Sequence, residues 1–327
     1  GDGQVDFLSM DIGSANIGLY FSRSSQRFVP RDVIVRITNG FEAKTELAYA
    51  PLTNTAVYRR STGARNGLTW GRGSPVADFL APMYVVARAS SSAPVAGNAN
   101  AMASVYYRYA NARVQAGGRG FLGFETIETI DPNQTGGHVV TTTTYAQNFP
   151  FVGMPMRTKK SAVSGAYTVP ACLTGTISNA CFGTPGQTHP DLGGSWFSDS
   201  WQSWEVAPAS LASQAPLHVR TLGTEEFQRD PFTGAQTGKV ATAFDYGAHG
   251  NVSQTIVDTY TGSATTPTAT VITGNTYGDD VARWRLGRLT ASTITHRRPG
   301  LPDVVRTTGF SYQMSGATTG LLTEERL

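Results

Sequence analysis

Charge is scarce in this 327-residue chain. Lys and Arg number 26, Asp and Glu 23, and together they make up 15% of residues with a formal net charge of +3, against roughly 25% in an average soluble protein. No basic block exceeds the pairs Arg59/Arg60, Lys159/Lys160 and Arg297/Arg298, so the electrostatic footprint of a nucleic-acid binder is missing. No apolar run of about 18 residues occurs, so no helix spans a membrane. Cysteine is limited to Cys172 and Cys181, and two thiols without a nearby second ligand pair do not make a zinc site. The histidines His138, His189, His218, His249 and His296 are scattered, and no Ser stands in a G-x-S-x-G setting. Each therefore reads as a turn or surface histidine rather than a catalytic base.

What is plentiful is glycine, 36 residues, with Thr throughout. That balance suits short strands and turns better than surface helices, and the length allows a sizeable core. The stretch Tyr106 to Lys160 shows the pattern best. Val105, Tyr107 and Tyr109 share one face and Tyr106, Arg108 and Ala110 the other, a period of two. Gly117, Gly118 and Gly120 break it, Phe121 to Ile130 resumes it, and Asp131, Pro132 and Asn133 with Gly136 and Gly137 make the next turn before Val139 to Tyr145. This predicts a meander of antiparallel strands. Elsewhere Asn39-Gly40 signals a turn before Thr45 to Ala50. Pro82 splits the hydrophobic segment Val76 to Ala89 or places it at an edge. Alternation fades from Ser161 to Leu217, which reads as a long ordered loop that is either functional or packed as a plug. It returns in Leu217 to Leu222, Lys239 to Tyr246, Val252 to Tyr260, Thr268 to Tyr277, Trp284 to Thr295 and Val304 to Tyr312.

Three separated stretches carry a family resemblance. The run Arg119-Gly120-Phe121-Leu122-Gly123-Phe124, with the Thr-rich strand after it and the segment Gln147 to Pro155, resembles the Rhs/YD-repeat proteins, and more narrowly the middle region of the B component of bacterial insecticidal Tc toxin complexes. Ile37 to Tyr58 is similar to the join between propeller and repeat shell in that family, and Phe244 to Gln254, FDYGAHGNVSQ, to a degenerate YD repeat. The resemblance covers nearly the whole chain. It implies an all-β fold: a YD/Rhs-repeat antiparallel sheet forming part of a hollow cocoon wall, preceded by the end of an FG-GAP-like β-propeller blade. The expected divisions are 1–50 (end of the propeller-like region), 51–160 (middle-region meander), 161–217 (Trp- and Cys-containing loop) and 218–327 (degenerate repeats). The opening GDGQVDFLSMDIG reads as starting inside a repeat, which predicts a piece of a longer protein.

The function so implied is structural: a wall that encapsulates a C-terminal cytotoxic effector and docks through its propeller to a translocation component. Its partners would be an effector-bearing C-type subunit or C-terminal domain and a pore-forming A-type subunit, in a secreted bacterial toxin complex, with no nucleic acid, no direct membrane span and no catalysis by this chain. The alternative is an extracellular carbohydrate-binding or adhesion module of a YD-repeat protein.

Candidate site residues follow from both readings. Asp2 and Asp6 resemble the calcium turn of an FG-GAP blade, or form an Asx and Gly turn feeding Val5 to Met10; no other cofactor is expected. Cys172 and Cys181, with eight residues between them, can close a small-loop disulfide worth about 2 to 3 kcal/mol, or remain two buried thiols. Trp196, Trp201 and Trp204 offer a glycan platform if exposed and packing mass if buried. Gly120 and Gly123 should set the bend of the sheet, with Phe121, Phe124, Tyr107, Tyr109, Phe244, Tyr246, Gly250 and Asn251 as packing and turn positions of stacked repeats. Glu125 and Glu128 fall on opposite faces of a strand, and neither they nor the adjacent Glu225 and Glu226 can form the facing acid and base of a glycosidase. A fold could still assemble such a pair from distant strands.

Overall fold

The computed structural model describes residues 7–10, 17–20, 33–60, 76–79, 81, 83–134, 136–169, 195–207, 217–313 and 320–327. Among them there is no α-helix: the elements are β-strands and one 3-10 turn, Val281–Arg283. The chain divides into two compact units, residues 1–155 with 160–195, and residues 156–159 with 196–327.

In the first unit β1 (Phe7–Met10) and β2 (Ile17–Tyr20) form a two-stranded antiparallel sheet. The main sheet contains β3 (Arg36–Thr38), β4 (Lys44–Pro51), β5 (Tyr58–Arg59), β6 (Val76–Asp78), β7 (Tyr84–Ser92), β8 (Met102–Gln115), β9 (Gly120–Gln134) and β10 (Gly137–Tyr145). Its spine runs β3–β4–β7–β8–β9–β10, antiparallel throughout, and β5 and β6 add further pairings to β8. The segment split around Pro82 becomes β6 and β7; Pro82 itself lies outside the described residues. The cross-strand row Tyr106, Ile130, Val140 is in register and buried, joined in the core by Ala50, Val57, Val85 and Ala87. Full burial of a side chain such as Ile130 contributes about 1.5–3 kcal/mol.

Two turns differ from expectation. After Asn39 the chain makes a longer loop in which Asn39 Oδ1 accepts from the N–H groups of Phe41 and Ala43. The left-handed residue is Glu42 rather than Gly40, because the Asn side chain supplies the turn's acceptor itself. The strand β9 continues through Asp131, Pro132 and Asn133, so the reversal falls at Gln134 and Gly137. There Asp131 Oδ1 accepts from the backbone and side-chain N–H groups of Asn133, and these bonds hold its carboxyl below the usual carboxylate range.

β11 (Pro155–Ser164) has residues in both units. The second unit continues with β12 (Ser195–Val206), β13 (Val219–Arg229), β14 (Gln236–Tyr246), β15 (Val252–Thr261), β16 (Ala269–Asp280), β17 (Arg285–Arg297), β18 (Val304–Tyr312) and β19 (Leu322–Arg326), each antiparallel to the next. Ser195–Val206 lies inside the stretch read from sequence as loop. Its aromatic residues alternate with Ser, Asp and Gln rather than with a clean apolar set, so hydropathy conceals its period of two.

The second sheet has almost no buried interior. No residue from 217 to 313 or from 320 to 327 is buried, and both faces are half-exposed along every strand. It is one layer thick.

Candidate functional site

Five tyrosines repeat one hydrogen bond. Tyr49 donates its hydroxyl to the Ile34 carbonyl, Tyr109 to Val86, Tyr246 to Thr221, Tyr277 to Val252 and Tyr312 to Leu289, all at 2.7–2.9 Å. For the last four the acceptor has a common setting. Register shifts leave Ala87, Leu222, Ser253 and Thr290 as extra residues in their strands, and each acceptor carbonyl belongs to the residue just before one of them. A bulge disrupts the ladder locally, and an unpaired buried carbonyl is costly; the phenol supplies the donor. Tyr246, Tyr277 and Tyr312 are themselves at a shift against their following strands. In two cases the bond is returned, as the bulged Thr290 and Thr323 donate to the carbonyls of Thr276 and Ser311, the residues before Tyr277 and Tyr312. From β14 to β18 one latch therefore recurs every second strand.

A second device sets the bend of β8 and β9. Asn111 in β8 and Gly123 in β9 both have positive φ, +55° and +84°. Gln147, only 6% exposed, donates its amide to the carbonyls of both, at 2.8 Å each. Gly120 is also left-handed, at +69°, and a Cβ at either glycine would meet nothing within 4 Å. Glycine is thus required by backbone conformation and not by crowding. Around the bend Phe121 touches Phe79 and Phe124, and Phe124 touches Tyr109 and Tyr58. Burial pushes the Tyr109 hydroxyl up to about 12, with the nearby Tyr107 adding to it, and raises Tyr58 for the same leading reason. Tyr107 lies opposite Thr129 in the ladder.

In the second unit the three tryptophans do not share one face. Along β12 Trp201 alternates with Trp196 and Trp204, so the strand directs them to opposite sides. The Arg229 guanidinium lies 3.9 Å from the Trp196 ring. Trp201 is 44% exposed; Arg157 lies 4.1 Å from its ring while forming a bidentate pair with Asp199 at 2.7 and 2.6 Å. Register then aligns Trp201, Glu225, Ala241, Asp258 and Thr270 in one row across the sheet. Trp201, Glu225 and Asp258 line a groove of about 260 Å³. Glu225 pairs with Lys239 at 2.6 Å, and Asp258 accepts from Thr270 Oγ1 at 2.5 Å.

The other predicted positions are distributed through the two units. Phe244 lies opposite Thr255. Gly250 is left-handed, at +82°, and an added Cβ would meet the His218 ring at 2.8 Å; Asn251 closes that turn by accepting from Gly247 N–H. Glu128 pairs with Arg108, opposite it in the ladder, while Glu125 accepts from Asn111. His138 is buried rather than at a surface or turn, with Nδ1 3.1 Å from the Gly165 carbonyl; β10 draws it inward beside Tyr167. Asp2, Asp6, Cys172 and Cys181 lie outside the described residues.

Residues 1–153 match the family model for the insecticide toxin TcdB middle/N-terminal region. Those residues are a Tc toxin region. No curated protein matches the chain. The Tc toxin match takes in β1 to β10, the glycine bend and Gln147, and so the resemblance drawn from Arg119 to Phe124 and from Ile37 to Tyr58. It ends before β11, leaving the single-layer sheet beyond it. Sequence reading did not find Arg157, Lys239 or Asp258, nor the buried pair of Arg113 with Asp78. Each takes its meaning from a partner at least 12 residues away, on another strand. Only the recurring Tyr-Gly pairs, Tyr246-Gly247 and Tyr277-Gly278, offered a local signal for the latch.

Proposed function

We propose that the chain is a wall segment of a Tc-type, Rhs-repeat toxin: a structural shell that encloses a C-terminal cytotoxic effector and docks, through a propeller at its N-terminal side, to a pore-forming translocation component of a secreted complex. The observation that carries this reading is the one-layer second sheet, in which no described residue beyond Ala207 is buried. A sheet normally buries one face against another layer. One that buries neither is a partition, with solvent or a client on each side, and the latch repeating every second strand is what a wall of stacked repeats requires. The same chain needs no catalytic group for this work, since containment depends on a continuous barrier.

The wall has sides, and they can be told apart. Ala243 and Thr259 are exposed, on opposite faces of the sheet. In the assembled toxin with Cys172 and Cys181 replaced by Ser, cysteines placed at these two positions should differ at least tenfold in labelling by a bulky maleimide, and equalise on denaturation. Equal, rapid labelling of both in the intact complex would contradict enclosure.

A further inference from the structure

We propose that the groove on the second unit's sheet is a binding site for a basic side chain, foremost arginine, presented by another polypeptide. Its shape follows from side-chain size. Gly223, Ala241 and Ala243 leave a depression between Trp201 on one side and Asp258 on the other. Gly223 cannot carry a side chain, because a Cβ there would meet the Thr242 carbonyl oxygen at 2.6 Å, so the floor is kept low by the backbone itself. Glu225 and Asp258 are separated by a single strand, and their Cα atoms are therefore about 10 Å apart.

Charge decides the occupant. Arg157 is matched by Asp199 and Lys239 by Glu225. Asp258 has a hydroxyl donor in Thr270, and among the described residues no cation pairs with it, which leaves one uncompensated carboxylate across the groove from the half-exposed indole. A carboxylate is acceptor-only, and a planar guanidinium satisfies it with two parallel N–H bonds while stacking on an aromatic face. The sheet already uses guanidinium–aromatic stacking, with Arg157 over Trp201, Arg229 over Trp196 and Arg220 over Tyr246. A pyranose could stack on the indole and donate hydroxyls to the carboxylates, but being neutral it would leave the charge of Asp258 uncompensated. The site does not depend on the sheet being a wall; in a wall it would grip a client chain.

The test titrates the chain with N-acetyl-arginine methylamide, its citrulline counterpart and methyl glucopyranoside, followed by saturation-transfer NMR. Arginine should bind saturably, the neutral citrulline isostere at least tenfold more weakly and the sugar not at all. Asp258→Asn and the groove-filling Ala241→Leu should each weaken arginine binding at least tenfold, in protein whose unaltered circular dichroism verifies folding. Equal affinity for arginine and citrulline, binding of the sugar instead, retained binding in folded Ala241→Leu, or no binding by the unaltered chain would each overturn the proposal.

Discussion

The recurring tyrosine bond is the most economical handle on this fold at the level of single residues. Tyr277→Phe removes one donor from a carbonyl beside a bulge and nothing else, so it should cost about 1 kcal/mol, the usual net contribution of such a bond. Val252 O also accepts from Asn275 Nδ2 at 3.1 Å, which cushions the loss. Among the described residues no second side chain donates to the Leu289 carbonyl, so Tyr312→Phe should cost more than Tyr277→Phe in urea unfolding; an effect near zero at both would remove the latch from the account. Tyr109 adds a pH dependence. Its folded-state value of about 12 lies above the roughly 10 of an unfolded chain. Its stabilisation is therefore full below pH 10 and is lost as pH rises through about 12. Unfolding midpoints measured from pH 8 to 11.5 should fall in the upper part of that range, and the fall should be shallower in Tyr109→Phe.

Among the elements, the β8–β9 hairpin shows what sequence could and could not disclose. Both strands and their alternation were legible, because a period of two is a local signal, and the clustered glycines marked where the backbone turns left-handed at Gly120 and Gly123. The clamp was not, since Gln147 reaches Asn111 and Gly123 from 36 and 24 residues away and nothing in a Gln marks its targets. Gln147→Leu should destabilise by about 1–3 kcal/mol through two unpaired carbonyls. Gly123→Ala should cost about 1–2 kcal/mol from the left-handed backbone alone, since an added Cβ meets nothing within 4 Å, and Gly123→Val more, because a β-branched side chain tolerates positive φ least. Thermal melting of the three variants checks this; an unchanged melting temperature in Gly123→Val would contradict the assignment of the bend. β12 makes the complementary point. Its tryptophans were visible but its strand was hidden, because Ser and Asp occupy positions where an amphipathic pattern would place apolar groups.

For the whole molecule, composition already spoke for strands over helices, and the low charge and high glycine content agree with the all-β architecture. That no second layer of described residues covers 217–313 and 320–327 was not legible, since a half-buried strand and a strand of a free-standing sheet carry the same alternation. That single layer is also the central claim's best support. The pairing of Trp201, Glu225 and Asp258 along one row was equally hidden, because register is a property of the sheet and not of any one strand. Both features bear on whether this chain contains something or merely displays a surface. Electron microscopy of the complete toxin that carries this chain tests it most directly. The account predicts residues 217–313 as a one-layer wall of a closed cavity with density inside it. A solid domain, with one face of that sheet packed against a second layer of the same protein, would contradict it.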